Sequence, residues 1–145
     1  MYGCIKCPAK IEHIERFVKY VRTVADDSGF SRRRINNAEL ALEEALVNIC
    51  RYAYSEGRGD IEVACRADED HRLIIRIIDC GKPFNILTVS EPEFTGDITN
   101  REPGGMGVLL IRKMVDDITY RRRGDKNILT LIMSDKRAQQ MIKDP

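Results

Sequence analysis

The chain has 145 residues, with 24 Lys and Arg against 23 Asp and Glu and a formal net charge of +1. At 43% hydrophobic and 32% charged residues, it describes a single folded domain, 1–145, rather than a disordered segment. Its charge balance gives no reason to expect direct contact with nucleic acid or an anionic membrane. No apolar run approaches the roughly 18 to 20 residues of a membrane span, and the first residues lack the apolar core of a signal peptide. A cytoplasmic protein is expected.

Cys4 and Cys7 open the chain as a C-x-x-C, two of five cysteines. A structural zinc site needs two more close Cys or His ligands, and no second C-x-x-C or H-x-H exists, so reduced thiols in a first strand or its lead-in are expected. Over 9–27, Ile11, Ile14, Phe17, Val18, Val21 and Val24 recur at three- and four-residue steps, which predicts an amphipathic helix ended by Gly29. Ser31 is placed to cap a second helix running to about residue 54, with Ile35, Ala38, Leu42, Ala45, Leu46, Ile49 and Ala53 on one face and Cys50 in its core. The period then falls to two: Ile61, Val63 and Cys65 alternate with polar neighbours, the tetrad Asp68 to His71 turns, and 73–79 returns as a more buried strand. Residues 80–103 hold three prolines, two glycines and no period, as a functional loop or lid would. A third helix is expected over 107–116, a second hairpin from 118–123 and 128–133, and a short helix in the tail, 134–145. Hairpins with helices covering one face give an α+β fold, a two-layer sandwich whose core spans about 9–134.

Three places combine polar groups with backbone features that a packed core does not need. On the second helix Glu44 and Asn48 stand one turn apart on one face, where a carboxylate and an amide oxygen can address a hard cation; a solvated helix edge is the ordinary alternative. Asp79 ends a buried strand two residues before Gly81, which suits acceptance from an exocyclic amine with close backbone approach, although Asp and Gly are also common turn residues. Gly104, Gly105, Met106 and Gly107 open the third helix, where exposed N–H groups and the helix dipole favour phosphate. The run lacks the Lys-Ser/Thr ending of a Walker loop, and Leu110 stands where G-x-G-x-x-G needs its last glycine, so structural glycines at a tight entry turn remain an alternative.

Taken in order, E-x-x-x-N, D-x-G, a long loop and G-G-x-G resemble the GHKL, or Bergerat-fold, ATP-binding family. The form Glu44-Ala45-Leu46-Val47-Asn48 and the segment Asp79-Cys80-Gly81-Lys82-Pro83-Phe84 are similar to those of its anti-sigma-factor serine/threonine kinase branch. The resemblance spans about 11–133. It implies a mixed, largely antiparallel sheet, with ATP and Mg²⁺ as cofactors. It implies Asn48 as the Mg²⁺ ligand and Glu44 as the general base, and an ordinary Glu is ionised at pH 7. Asp79 would meet the adenine amine with Gly81 giving the base room, Gly104 to Gly107 would present N–H groups to the phosphates, and 80–103 would be the ATP lid. Pro83 replaces a second glycine of the D-x-G-x-G form. Pro103 stands where relatives often carry an arginine before the glycines, and Arg101, two residues earlier, is the candidate for that role.

The implied function is an anti-sigma factor that sequesters a sigma factor and phosphorylates a Ser or Thr of a STAS-type antagonist, with a homodimer as an assembly the resemblance allows. An ATP-binding partner-switch module without transfer, and a detached ATPase driving its own dimerisation, are the alternatives. His13 and His71 lie on a helix and in a turn, so a complete histidine kinase is not expected.

Overall fold

The computed structural model describes residues 3–54, 58–88 and 105–135. Their order is strand β1 (Gly3–Pro8), helix α1 (Ile14–Asp27), helix α2 (Arg32–Asn48), strands β2 (Asp60–Ala67) and β3 (Arg72–Asp79), helix α3 (Gly105–Met114), and strands β4 (Asp117–Arg123) and β5 (Lys126–Ser134). Single 3₁₀ turns occupy Ile11–His13 and Ile86–Thr88. The five strands form one sheet in the order β1-β2-β3-β5-β4. All four pairings are antiparallel, so the sheet among the described residues is more uniform than the mixed one expected.

The helices lie on one face of this sheet. Ile14, Phe17, Val21 and Ala25 of α1, at three- and four-residue spacing, are buried. They meet Ile61, Val63 and Cys65 of β2, Leu73, Ile75 and Ile77 of β3, and Leu129, Leu131 and Met133 of β5 in a single core. Each such aliphatic side chain contributes roughly 1.5 to 3 kcal/mol by leaving water. In β1 the same alternation buries Cys7 and leaves Cys4 exposed. Three residues apart on a strand, the two thiols point to opposite faces and cannot close on one ion.

Two boundaries depart from expectation. The second helix is α-helical only to Asn48 and continues as a π-helical turn, Ile49–Ala53, in which the Tyr54 N–H donates to the Ile49 carbonyl at 3.3 Å. Cys50, on that turn, is half-buried and packs against the core from its edge. The third helix begins at Gly105 and ends at Met114, two residues ahead of expectation at both ends. Of the loop 80–103, the first part is tied down: Ile86 is buried, and Arg112 donates to the Leu87 carbonyl at 3.4 Å. Residues 89–103 of that loop, and the tail beyond 135, lie outside the described residues.

Candidate functional site

The last turns of α2 carry a buried polar group in a row of small apolar residues. Asn48 is 4% exposed, aligned with Ala41 and Ala45 on the core face. Its Nδ2 donates to the Glu44 carbonyl at 2.7 Å. That bond orients the amide and turns Oδ1, the atom able to ligate a cation, away from the helix backbone. Glu44 is half-buried beside it. α3 closes on the pair from across α2: a Cβ at Gly107 would lie 2.7 Å from Glu44 Oε2 and 3.2 Å from Asn48 Nδ2. Only a residue without a side chain lets the start of α3 come this close.

At the end of β3, Asp79 is 3% exposed. Its Oδ1 accepts from the Gly81 N–H at 2.9 Å and from Asn127 Nδ2 at 2.8 Å. Burial pushes its carboxyl above the ordinary carboxylate range, against the opposing effects of Asn127, the Gly81 amide and the Arg122 charge. The D-x-G segment rests on the π turn. A Cβ at Gly81 would sit 2.5 Å from the Ala53 carbonyl oxygen, which accepts from the Lys82 N–H at 3.1 Å. Phe84, four residues past the strand, stacks on Tyr52 of the same turn with centroids 5.3 Å apart. Thus Glu44, Asn48, Asp79, Gly81 and Gly107, spread over 64 positions of sequence, gather around the end of α2 and the turn that extends it.

Gly105 and Met106 form the first turn of α3. Arg101 and Gly104 lie outside the described residues.

Sequence reasoning missed the network that braces Asp79. Asn127 is 3% exposed and stands opposite Asp79 in the β3–β5 register. Besides Asp79 its Nδ2 serves the Lys82 carbonyl at 2.9 Å, while its Oδ1 accepts from the Tyr120 hydroxyl, from Arg122 at 3.2 Å and from the Phe84 N–H at 3.4 Å. Arg122 also donates to the Gly81 carbonyl at 2.8 Å. On the other side the Tyr54 hydroxyl accepts from the Cys80 N–H at 2.6 Å and donates to the Asp60 carbonyl at 2.8 Å. Burial pushes that phenol up to about 12, so it keeps its proton. A signal was present: Asn127 occupies the inward phase of a strand whose next inward residues are Leu129, Leu131 and Met133.

A two-layer sandwich whose helix end gathers an amide, two carboxylates and two close-approach glycines is the architecture of nucleotide-binding ATPase domains. Residues 7–133 match the model of the histidine kinase-like ATPase domain, and the chain belongs to that family. It is similar to proteins named serine-protein kinase RsbW. The Listeria innocua relative is 28% identical over 96% of this chain and 92% of its own length. The Bacillus mycoides relative is 32% identical over 79% and 73%, and the Oceanobacillus iheyensis relative 31% identical over 79% and 75%. Among solved structures, the RsbU and RsbW domains of a Mycobacterium tuberculosis protein align with a TM-score of 0.65 at 17% identity, over 92% of this chain and 32% of theirs. The histidine kinase domain of a blue-light-activated kinase from Erythrobacter litoralis aligns at 0.57 and 15%, over 94% and 65%. The fold expected from the ordered motifs is therefore the fold observed. No helix among the described residues is long and apolar enough to cross a membrane.

Proposed function

We propose that this chain is an ATP-dependent serine/threonine-protein kinase and anti-sigma factor. It sequesters a sigma factor and, as a homodimer, phosphorylates a Ser or Thr of a STAS-type antagonist. The observation that carries the reading is the meeting of Glu44, Asn48 and Gly107 at one point, beside a buried Asp79 whose hydrogen bonds to described residues land on Oδ1. Relatives named serine-protein kinases, matched over most of their length, support the reaction class.

The residues fit a nucleotide with a divalent cation. Gly107 leaves a cradle that a Cβ would fill, Asn48 offers an oriented amide oxygen, and Asp79 keeps Oδ2 for a donor from outside. In this reading Asp79 accepts from the exocyclic amine of adenine, and Gly81 keeps the base seat flat against the π turn. The amides of 104–107 meet the phosphates at the positive end of α3, with Arg101 adding charge and 80–103 forming the lid. Asn48 would hold Mg²⁺, which when bound neutralises phosphate charge. Glu44 accepts the proton of the partner's hydroxyl as the oxygen becomes a nucleophile, a role worth about 10² to 10⁴ in rate.

The test is transfer of labelled phosphate to a STAS-type antagonist by wild type and Glu44→Gln. Glu44→Gln should bind nucleotide as wild type does and transfer at least about 100-fold more slowly. Unchanged transfer removes Glu44 from the base role. Binding without transfer by wild type would make the chain an ATP-dependent switch rather than a kinase.

A further inference from the structure

The outer side of the helix layer carries a groove that no described element fills. Its walls come from the 3₁₀ turn that holds Ile11, from α1 and from α2, joined across the groove by the Arg22–Glu39 ion pair. The two exposed large hydrophobic side chains among the described residues, Ile11 at 59% and Leu40 at 45%, both line it, together with half-buried Val18 and Val47. The rim is acidic. Glu15 and Glu43 stand beside this apolar floor, and Asp26 stands at the other end, near Phe30. Helix surfaces normally show polar residues to water, so an apolar strip between two helices calls for a cover.

The chain itself supplies a matching segment. β5 runs out to Asp135, whose carboxylate accepts from the Ser31 N–H at 2.7 Å. Phe30 and Arg32, the neighbours of Ser31, line the end of the groove, so the chain leaves the sheet at its mouth. The sequence after that anchor follows the groove in order. Lys136 and Arg137 come first, toward the end where Asp26 stands. Ala138, Met141 and Ile142 follow at the three- and four-residue steps of one apolar helix face. Lys143 comes next, toward Glu15 and Glu43. The reach agrees as well. From Ser31 to Leu40 α2 covers about 13 Å, whereas from Asp135 to Ile142 the chain covers about 10 Å as helix and about 23 Å extended.

We infer that residues 136–143 seat in the α1–α2 groove of their own chain, with Met141 and Ile142 against Val18 and Leu40 and the three cations along the acidic rim. This is recognition of an amphipathic segment by an apolar groove, made within one molecule. A segment tethered directly beyond its anchor has an effective concentration on the order of millimolar, so contacts too weak to hold a free peptide suffice to seat it. The groove is thereby closed to other helices, and a partner that uses it displaces the tail. Glu43 and Val47 adjoin Glu44 and Asn48 along α2, so the seated tail ends beside the turn that carries the candidate site without entering it.

Photo-crosslinking of the full chain with benzoylphenylalanine in place of Ile142 tests it. On irradiation at low micromolar concentration the protein should cross-link within one copy, and peptide mapping should place the bonds on α1 and α2 around Val18 and Leu40. Leu40→Asp, which sets a charge on the apolar floor, should lower the yield about fivefold or more. Glu43→Lys should lower it too, and adding Lys143→Glu should recover most of that loss. Cross-links that join two copies give the groove to the tail of a second chain, and cross-links elsewhere, or none, leave it to another occupant; each of these overturns the inference. A yield indifferent to Leu40→Asp overturns the seat on the apolar floor, and a double variant no better than Glu43→Lys alone overturns the charge match.

Discussion

The two ends of α2 are both rich in polar groups, and they handle them in opposite ways. At the N-terminal end Ser31 and Arg34 find their partners inside the protein. Ser31 Oγ accepts from the Arg34 N–H at 3.3 Å, and the Ser31 N–H donates to the buried Asp135 at 2.7 Å. Arg34 donates to the Ser134 carbonyl at 2.9 Å and to Asp116 at 2.8 Å. These bonds close the helix start onto the end of β5. At the C-terminal end Asn48 uses its Nδ2, Asp79 uses its Oδ1, and Glu44 stands half-buried against a glycine. Among the described residues Asn48 Oδ1 and Asp79 Oδ2 accept no hydrogen bond. Buried polar groups raise stability when matched internally and cost it when held for a ligand. The first end is a joint, and the second is, in the reading proposed above, a seat for nucleotide.

Substitutions that separate stability from binding can break this contrast. Asp79→Asn should have the largest effect on function and the least expected effect on stability. The neutral amide keeps an oxygen for the Gly81 and Asn127 donors but loses the charged acceptor, so nucleotide binding should fall below detection by calorimetry. The sign of the stability change follows from the raised carboxyl. Because the folded state holds the Asp79 proton more tightly than the unfolded chain, stability is lost as pH rises from the ordinary carboxylate range through the folded-state value. Asp79→Asn should therefore unfold at or above the wild-type temperature at pH 7. A clearly less stable variant would mean that the ionised carboxylate supports the fold.

Asn127→Ala should cost both properties at once. It takes one of two donors from Asp79 Oδ1 and removes the Asn127 donor from the Lys82 carbonyl, at roughly 1 to 3 kcal/mol, and loosens the D-x-G segment so that affinity falls as well. Denaturant unfolding and nucleotide titration on one preparation would show whether the two losses travel together. Ser31→Ala is the smallest change. It removes the helix cap for about 1 kcal/mol and should leave nucleotide affinity untouched. A change in affinity there would mean that the two ends of α2 are coupled.

The sequence made much of this legible because the periods are clean. The step from 3.6 to 2 after residue 54 marks the change from helices to strands, and Asp79 and Gly81 stand at a strand end where a turn chemistry is visible. Asn127 was not legible for a physical reason. An Asn just after Gly124-Asp125-Lys126 reads as part of the turn, and only the pairing with Asp79 shows that it belongs to the core phase of β5. The π turn escaped for a similar reason. Ile49 and Ala53 satisfy helical spacing whether the ladder closes at four residues or five, so periodicity alone cannot reveal the widened turn that holds Gly81. The early start of α3 reflects Gly105, whose low helix propensity argues for a loop until packing against α2 overrides it. Arg101 and Gly104 lie outside the described residues, and their place in the site stays a proposal.

Thermal unfolding with and without millimolar Mg·ATP, on wild type and Asn48→Ala side by side, bears most directly on the seat at the end of α2. A ligand at 100 times its dissociation constant adds about 2.7 kcal/mol, or roughly 5 to 10 °C for a chain of this size. Wild type should shift by that amount and Asn48→Ala should not. Equal shifts in both proteins, or none in either, would contradict a nucleotide site built on Asn48.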